Sequence, residues 1–368
     1  MGLFNQFPFT NFHELNLDWI LQKIKDLDNR LNNLATSEGN FVTPEQYGAV
    51  GDGTTDDTAS INSAVNSGKP VVLSGNYKAS NITISTDNFY IIASAPLKCG
   101  NIKITGNNGI LNFVSLTCAG INVSGANNSI NGGVLLNNGT NYTSGINALG
   151  NNTKIDIAAI NNFYIGISLG YSSISANGCV FNFNSMYGCT IGIQINAGVR
   201  NIFNFGSMAN TGSGNGIYVT PTEAGAGENR FIFGSISGYN FGVLYNNSDW
   251  NAEGYTFIGS IFSCRTGFSV GAGTHGYITY IGSIDNIDIE NSVDVDDKSY
   301  KNNWIMPFVR RGRSDFATTS KVTEMETGTQ KLPVVNLPSV GVKGDLIFTT
   351  AGNIVYHDGS TFKTITSA

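Results

Sequence analysis

The sequence predicts an all-β chain wound as a β-solenoid of about eight coils, each roughly 25 residues long. Three observations predict it. A glycine followed by a short apolar strand recurs at Gly120, Gly145, Gly166, Gly192, Gly216, Gly242 and Gly267, at intervals of 25, 21, 26, 24, 26 and 25 residues. A second strand runs out of phase with the first and carries its own signature. It reads Phe203-Asn204-Phe205-Gly206-Ser207-Met208, then Phe231-Ile232-Phe233-Gly234-Ser235-Ile236, then Ile258-Gly259-Ser260-Ile261 and Ile281-Gly282-Ser283-Ile284. The third observation is composition. Of 368 residues, 45 are Gly and only 12% are charged, about half the charge of an ordinary soluble domain. Turns rich in Asn (Asn107-Asn108, Asn127-Asn128, Asn151-Asn152, Asn161-Asn162) take the place of charge, because Asn tolerates the left-handed backbone region. Helical repeats are excluded by the lack of 3.6-residue periodicity, and propeller blades by a period well under about 40 residues.

Residues 1–40 hold the one convincing long helix, over 11–34, opened by Asn11 with Glu14 three residues on. Leu17, Ile20, Ile24, Leu27, Leu31 and Leu34 recur at spacings of 3, 4, 3, 4 and 3. That seam reads as a short parallel coiled coil, hence a homo-oligomer; the other reading is a helix packed on its own domain. The aromatic run Phe4, Phe7, Phe9, Phe12 before it reads as an anchoring peptide. No basic region precedes an apolar stretch in Met1–Phe7, so no secretory signal is expected.

Residues 41–88 form the entry to the solenoid, with a helix over 59–65 and a strand over 70–73. Gly48, Gly51 and Gly53 lack G-x-G-x-x-G spacing and the strand–turn–helix context of a phosphate loop, so no nucleotide is expected there. The repeat fills 89–292. Residues 293–330, with acidic (Asp294, Asp296, Asp297) and basic (Arg310, Arg311, Arg313) groups, read as a connector. A β-meander over 331–368 closes the chain, with turns at Ala351-Gly352-Asn353 and Asp358-Gly359.

A net charge of −6 argues against a nucleic-acid partner, and no apolar run of about 18 residues exists to span a membrane. Five scattered Cys and three distant His show no metal-site spacing, so no metal or other cofactor is expected. Asp285, Asp288, Glu290, Asp294 and Asp296 lack the spacing of a calcium loop and read as a solvated face. Glycoside hydrolysis needs two carboxyl groups roughly 5–9.5 Å apart. Between Asn88 and Thr222 the chain offers one acid, Asp156, so the first half of the solenoid is a poor active site within one chain. Glu223 and Glu228 lie in the longest Gly-rich corner, and Asp249 and Glu253 in the corresponding corner one coil later. Stacked corners make these four the candidate catalytic acids, if the chain is enzymatic. Trp250, Tyr245, Tyr255 and Arg230 are the candidate carbohydrate contacts.

The segment Tyr47-Gly48-Ala49-Val50-Gly51-Asp52-Gly53-x-x-Asp56-Asp57-Thr58, followed by Ile61, Ala64, Val71-Val72-Leu73 and Gly75-Asn76-Tyr77, resembles the opening of pectate-lyase-like proteins found in phage tail spikes and appendages. The stretch Phe9–Ile20 looks like the leader of appendage proteins in short-tailed phages of Gram-positive hosts. The resemblance implies a right-handed, single-stranded parallel β-helix. It also implies a homotrimer located in the virion, attached through its N-terminus to other tail or collar proteins and made in the host cytoplasm. Gly48, Gly51, Asp52, Gly53, Asp56 and Asp57 would then mark the first coil in a structural role. The function so implied is adsorption to host surface polysaccharide or teichoic acid, and the lack of a convincing carboxylate pair makes binding without cleavage the expectation. Alternatives are a depolymerase (hydrolase or lyase) and a purely structural collar or knob component.

Overall fold

The chain winds as an all-β, right-handed parallel solenoid of about nine turns. The computed structural model describes residues 41–139, 143–170, 174–221, 226–246, 254–271 and 277–285 with their side chains, plus Val295 and Asp296. Nine further strands, from Val293–Asp297 to Phe362–Thr364, are described as backbone. Residues 1–40, with the Leu17–Leu34 seam, lie outside the described residues.

Each central coil contributes one long and one short strand, such as Lys154–Asn161 and Ile165–Leu169, then Val180–Tyr187 and Ile191–Ile195. Long strands pair with long ones in a 16-stranded sheet and short with short in an 11-stranded sheet. The register holds from coil to coil, so that Asp156 pairs with Asn182, Asn182 with Asn204 and Asn204 with Ile232. Along a long strand, the inward positions run Ile155, Ile157 and then Ile160, with Ala158 exposed between the last two. A step of three in place of two breaks the strand into two arms at Ala158. Asn184, Gly206 and Gly234 occupy the same bend in the next three coils, and the pairing skips all four positions.

The core is built by stacking like on like. Phe181, Phe203, Phe231 and Phe257 form one column with ring centroids 4.6, 4.7 and 4.8 Å apart, close to the strand spacing. Phe183, Phe205 and Phe233 form a second column at 4.8 and 5.2 Å. The recurrent glycine of the short strands has a packing reason. A Cβ at Gly192 would lie 2.0 Å from the Met208 Sδ and 2.5 Å from the Gly216 carbonyl oxygen, so no larger residue fits there.

One corner of every coil places a residue in the left-handed region. The column runs through Asn88, Asn108, Asn127, Asn152, Gly178, Arg200, Glu228, Gly254 and Tyr277. In the exposed part of it, Asn127 Nδ2 donates to Asn108 Oδ1 at 3.0 Å and Asn152 Nδ2 to Asn127 Oδ1 at 3.2 Å. The residue after each corner turns inward, which buries Asn128, Asn201 and Asn229.

At the start of the solenoid the helix Thr58–Val65 buries Ile61, Ala64 and Val65. Its Asn62 and Asn66, one turn apart, bond the backbone of Ile82–Ile84, the terminal strand of the 11-stranded sheet. Thr83 N donates to Asn62 Oδ1 at 2.7 Å, and Asn66 Nδ2 to the Thr83 carbonyl at 2.7 Å. Two side-chain amides thus stand in for a neighbouring strand and close an edge that would otherwise template pairing with another chain.

Beyond residue 292 the structure departs from the expected connector. Val293–Asp297 pairs in parallel with Thr266–Val270, and Asn303–Met306 with Thr279–Asp285. Arg313–Asp315 and Lys321–Glu326 continue the same two sheets. Backbone pairing needs no glycine signature, so the winding outlasts the sequence repeat. At the C-terminus, Leu346–Thr349, Ile354–His357 and Phe362–Thr364 form an antiparallel meander, with Val334–Val335 added in parallel.

Candidate functional site

The entry motif is held together by its own carboxylates. Asp57 accepts from the Val50 and Gly51 amides at 2.7 and 3.1 Å. Asp52 Oδ1 accepts from the Thr55 and Thr54 amides at 2.7 and 2.8 Å, and Asp56 from the Thr58 hydroxyl and amide. Gly48, Gly51 and Gly53 take φ of 92°, 67° and 78° in the turns between them. The bonds to Asp52 and Asp56 favour their ionised forms. The Thr55 and then Thr54 amides hold Asp52 far below the usual carboxylate range, and the Thr58 hydroxyl lowers Asp56. A carboxylate depressed in the folded state contributes stability that is complete above its unfolded pKa and lost as pH falls through its folded one. Acidification below the ordinary carboxylate range is therefore expected to loosen residues 52–58 first. Amide exchange at Thr54, Thr55 and Thr58, followed from about pH 5 down to about pH 1, checks this; unchanged protection across that range would contradict it.

Of the four candidate acids, Glu228 lies among the described residues. Glu228 sits exposed at the corner, with φ of 54°, and accepts from Arg200 Nε of the preceding coil at 2.7 Å. The next corner approaches it, since a Cβ on Gly254 would lie 3.5 Å from the Glu228 Cγ. Glu223, Asp249, Trp250 and Glu253 lie outside the described residues.

Tyr245 and Tyr255, expected to touch sugar, are both fully buried, with rings edge to face at 5.2 Å. Position parity explains the difference. Tyr245 occupies the inward column shared with Val219 and Val270, and Tyr255 follows the left-handed corner residue Gly254. Neither ring reaches the surface, so neither is a carbohydrate contact. Arg230 is exposed at the start of its long strand, two residues from Ile232 on the same face. The five cysteines are buried, and burial pushes the Cys189 thiol up to about 12, which leaves it protonated and unreactive at neutral pH.

A shallow concave feature among the described residues lies elsewhere, along the bend of the long strands. It is an open groove of about 800 Å³ crossing four successive coils, a span of about 14 Å at the strand spacing. Its outer wall is the column Asp156, Asn182, Asn204 and Ile232, and its bend residues are Ala158, Asn184, Gly206 and Gly234. The buried Phe183, Phe205 and Phe233 lie beneath. The wall is a side-chain ladder. Asn204 Nδ2 donates to Asn182 Oδ1 at 2.9 Å, and Asn182 Nδ2 donates to Asp156 Oδ1. Lys154 Nζ lies 2.6 Å from the other oxygen of Asp156. One coil before the groove, Asn131 Nδ2 donates to Asn112 Oδ1 at 2.9 Å in the same column. Among the described residues, Asp156 is the one charged residue lining the groove.

Sequence reasoning missed this site, although a signal for it exists. Aligning Phe181-Asn182-Phe183 with Phe203-Asn204-Phe205 and Phe231-Ile232-Phe233 puts the outward wall in the middle position of each triplet. The corners drew attention because they carry the charged groups.

No protein-family model matches the sequence, and no curated protein does. Among solved structures, the chain is similar to ORF18 of Geobacillus virus E2, at 15% identity and a TM-score of 0.31, over 94% of this chain and 89% of that one. It is also similar to PfbA, a surface adhesin of Streptococcus pneumoniae, at 12% identity and a TM-score of 0.31, over 89% of this chain and all of the other.

Proposed function

We propose that this chain is a phage virion appendage that adsorbs to host cell-surface carbohydrate and leaves it uncleaved. The observation that carries this reading is the groove over the bend: open, walled by amide side chains, and furnished with a single carboxylate, Asp156. Polar groups in a row supply hydrogen bonds to hydroxyl-rich ligands, whereas glycoside hydrolysis needs a second acid in reach. Two features of the sequence support the phage assignment, namely the entry motif Tyr47–Thr58 and the leader Phe9–Ile20. The heptad seam Leu17–Leu34 supports a homo-oligomer, and the resemblance makes it a homotrimer with the N-terminal segment fixed to other virion proteins.

The test is sedimentation of the purified chain with whole cells and isolated walls of Gram-positive hosts, followed by analysis of the supernatant. The expected outcome is co-sedimentation with neither new reducing ends nor unsaturated sugars. Steady release of either product would make the chain a depolymerase. Cleavage abolished by Glu228→Gln would move the chemistry to the corners.

A further inference from the structure

We infer that the bend groove holds an extended, uncharged glycan strand running along the stacking axis, with about one sugar facing each coil. The inference rests on the carbohydrate-binding reading above and adds the site, the ligand class and its direction.

Three properties of the groove point to that ligand. The first is its direction. The groove crosses the strands, so a ligand lying in it meets an equivalent wall position once per coil, about every 4.8 Å. That spacing is close to the length of one pyranose unit in an extended glycan. It is poorly matched to an extended peptide, which advances about 3.3 Å per residue.

The second property is unused hydrogen-bonding capacity at that spacing. A carboxamide has two N–H donors and two acceptor lone pairs. Asn182 spends one donor on Asp156 and receives one bond from Asn204, while Asn204 spends one donor on Asn182. Each therefore keeps an N–H, and each keeps acceptor capacity. The ladder also orients both amides, so little side-chain entropy is lost when a hydroxyl or acetamido group binds. Below them Ile232, 41% exposed, continues the wall as an apolar surface suited to the face or methyl group of a sugar.

The third property is charge. A polyanion such as a polyol phosphate would want a cation at each coil. The column just outside the wall reads Lys154, Val180, Ile202 and Arg230 over these four coils. Lys154 and Asp156 neutralise each other, the two middle positions are apolar, and Arg230 supplies a cation at the fourth coil alone. A polyanion would therefore meet one cation over four coils. An uncharged glycan needs none.

The test uses the full chain on an array of uncharged oligosaccharides, including chitin and cello-oligomers from dimer to hexamer, with polyglycerol phosphate as the anionic probe. At least one uncharged series is expected to bind, gaining affinity up to about four sugars and then levelling, because the groove crosses four coils. Asn182→Leu and Asn204→Leu should each weaken that binding about tenfold. Ala158→Phe, which fills the bend and leaves every ladder bond intact, should weaken it at least as much. Lys103→Ala, exposed on the short strand Asn101–Ile104 of the other sheet, should change nothing. Uncharged glycans bound equally well by the Asn182, Asn204 and Ala158 variants would overturn the site and leave carbohydrate binding standing. Polyglycerol phosphate bound more tightly than every uncharged glycan would overturn the ligand class. A wild-type chain that binds no glycan and no host wall would overturn both this inference and the reading beneath it.

Discussion

Phe231→Ala is expected to destabilise the solenoid by about 3–5 kcal/mol, a range set by other buried Phe truncations. Phe231 is fully buried and stacked between Phe203 at 4.7 Å and Phe257 at 4.8 Å, with interplanar angles of 5° and 6°. Two neighbours lose a stacking face at once. The void also resists collapse, because backbone pairing in the coils on either side fixes the distance between Phe203 and Phe257. In a solenoid each coil touches only the next, so a gap in the middle of the column weakens the link between the two halves of the stack. Denaturant unfolding of the purified chain, with its midpoint and slope compared with wild type, checks this. Ile232→Ala, one residue away on the outer wall, is the control and should shift stability by no more than about 0.5 kcal/mol. Equal effects at the two positions would contradict the column as the source of stability.

Asn201→Leu is expected to cost about 4 kcal/mol, although it replaces a polar residue in the core with an apolar one of similar size. Asn201 is fully buried, and its carboxamide joins three coils. Its Oδ1 accepts from the Cys179 amide at 2.8 Å, and its Nδ2 donates to the Ala176 carbonyl at 3.0 Å and to Asn229 Oδ1 at 2.9 Å. Leucine would leave the Cys179 N–H and the Ala176 carbonyl without these partners in a dry interior, and each orphaned group costs about 1–3 kcal/mol. Asn201→Asp should be worse still at neutral pH, since a carboxylate would face the Ala176 carbonyl and Asn229 Oδ1, both acceptors. The contrast is Asn152→Gly. Asn152 sits exposed at φ 54° with a single ladder bond, and glycine adopts that backbone readily, so a change within about 0.5 kcal/mol is expected. Thermal unfolding of the three variants side by side measures the difference. A tolerated Asn201→Leu would mean that water or a shifted backbone satisfies the coil, contrary to the bonding described above.

These asparagines show why the fold was more legible than the site. Every Asn-rich stretch reads from sequence as turn chemistry, and for Asn108, Asn127 and Asn152 that reading matches the left-handed corner. The same residue type serves three further purposes that composition does not separate. Asn128, Asn201 and Asn229 are buried and bind backbone. Asn62 and Asn66 close a sheet edge from a helix. Asn182 and Asn204 line the groove. A single-residue shift in phase decides which purpose each one serves. The same shift put Tyr245 and Tyr255 in the core, although each borders a polar corner in the sequence. Glycine misled in the other direction. The repeat reads from sequence as ending at residue 292, yet strands as far as Glu326 remain paired in the same two sheets.

By itself, the sequence determined the repeat length, the alternation of strands and corners, and the scarcity of carboxylates along the first half of the stack. Each of these is local, because strand periodicity, turn preference and composition act within one coil. Only the tertiary structure decided which residues share a wall. Asp156, Asn182, Asn204 and Ile232 lie 22 to 28 residues apart along the chain and meet because the register of one coil is copied onto the next. The bend then turns that copied column into a groove, and the low charge noted in the composition becomes the chemistry of its wall.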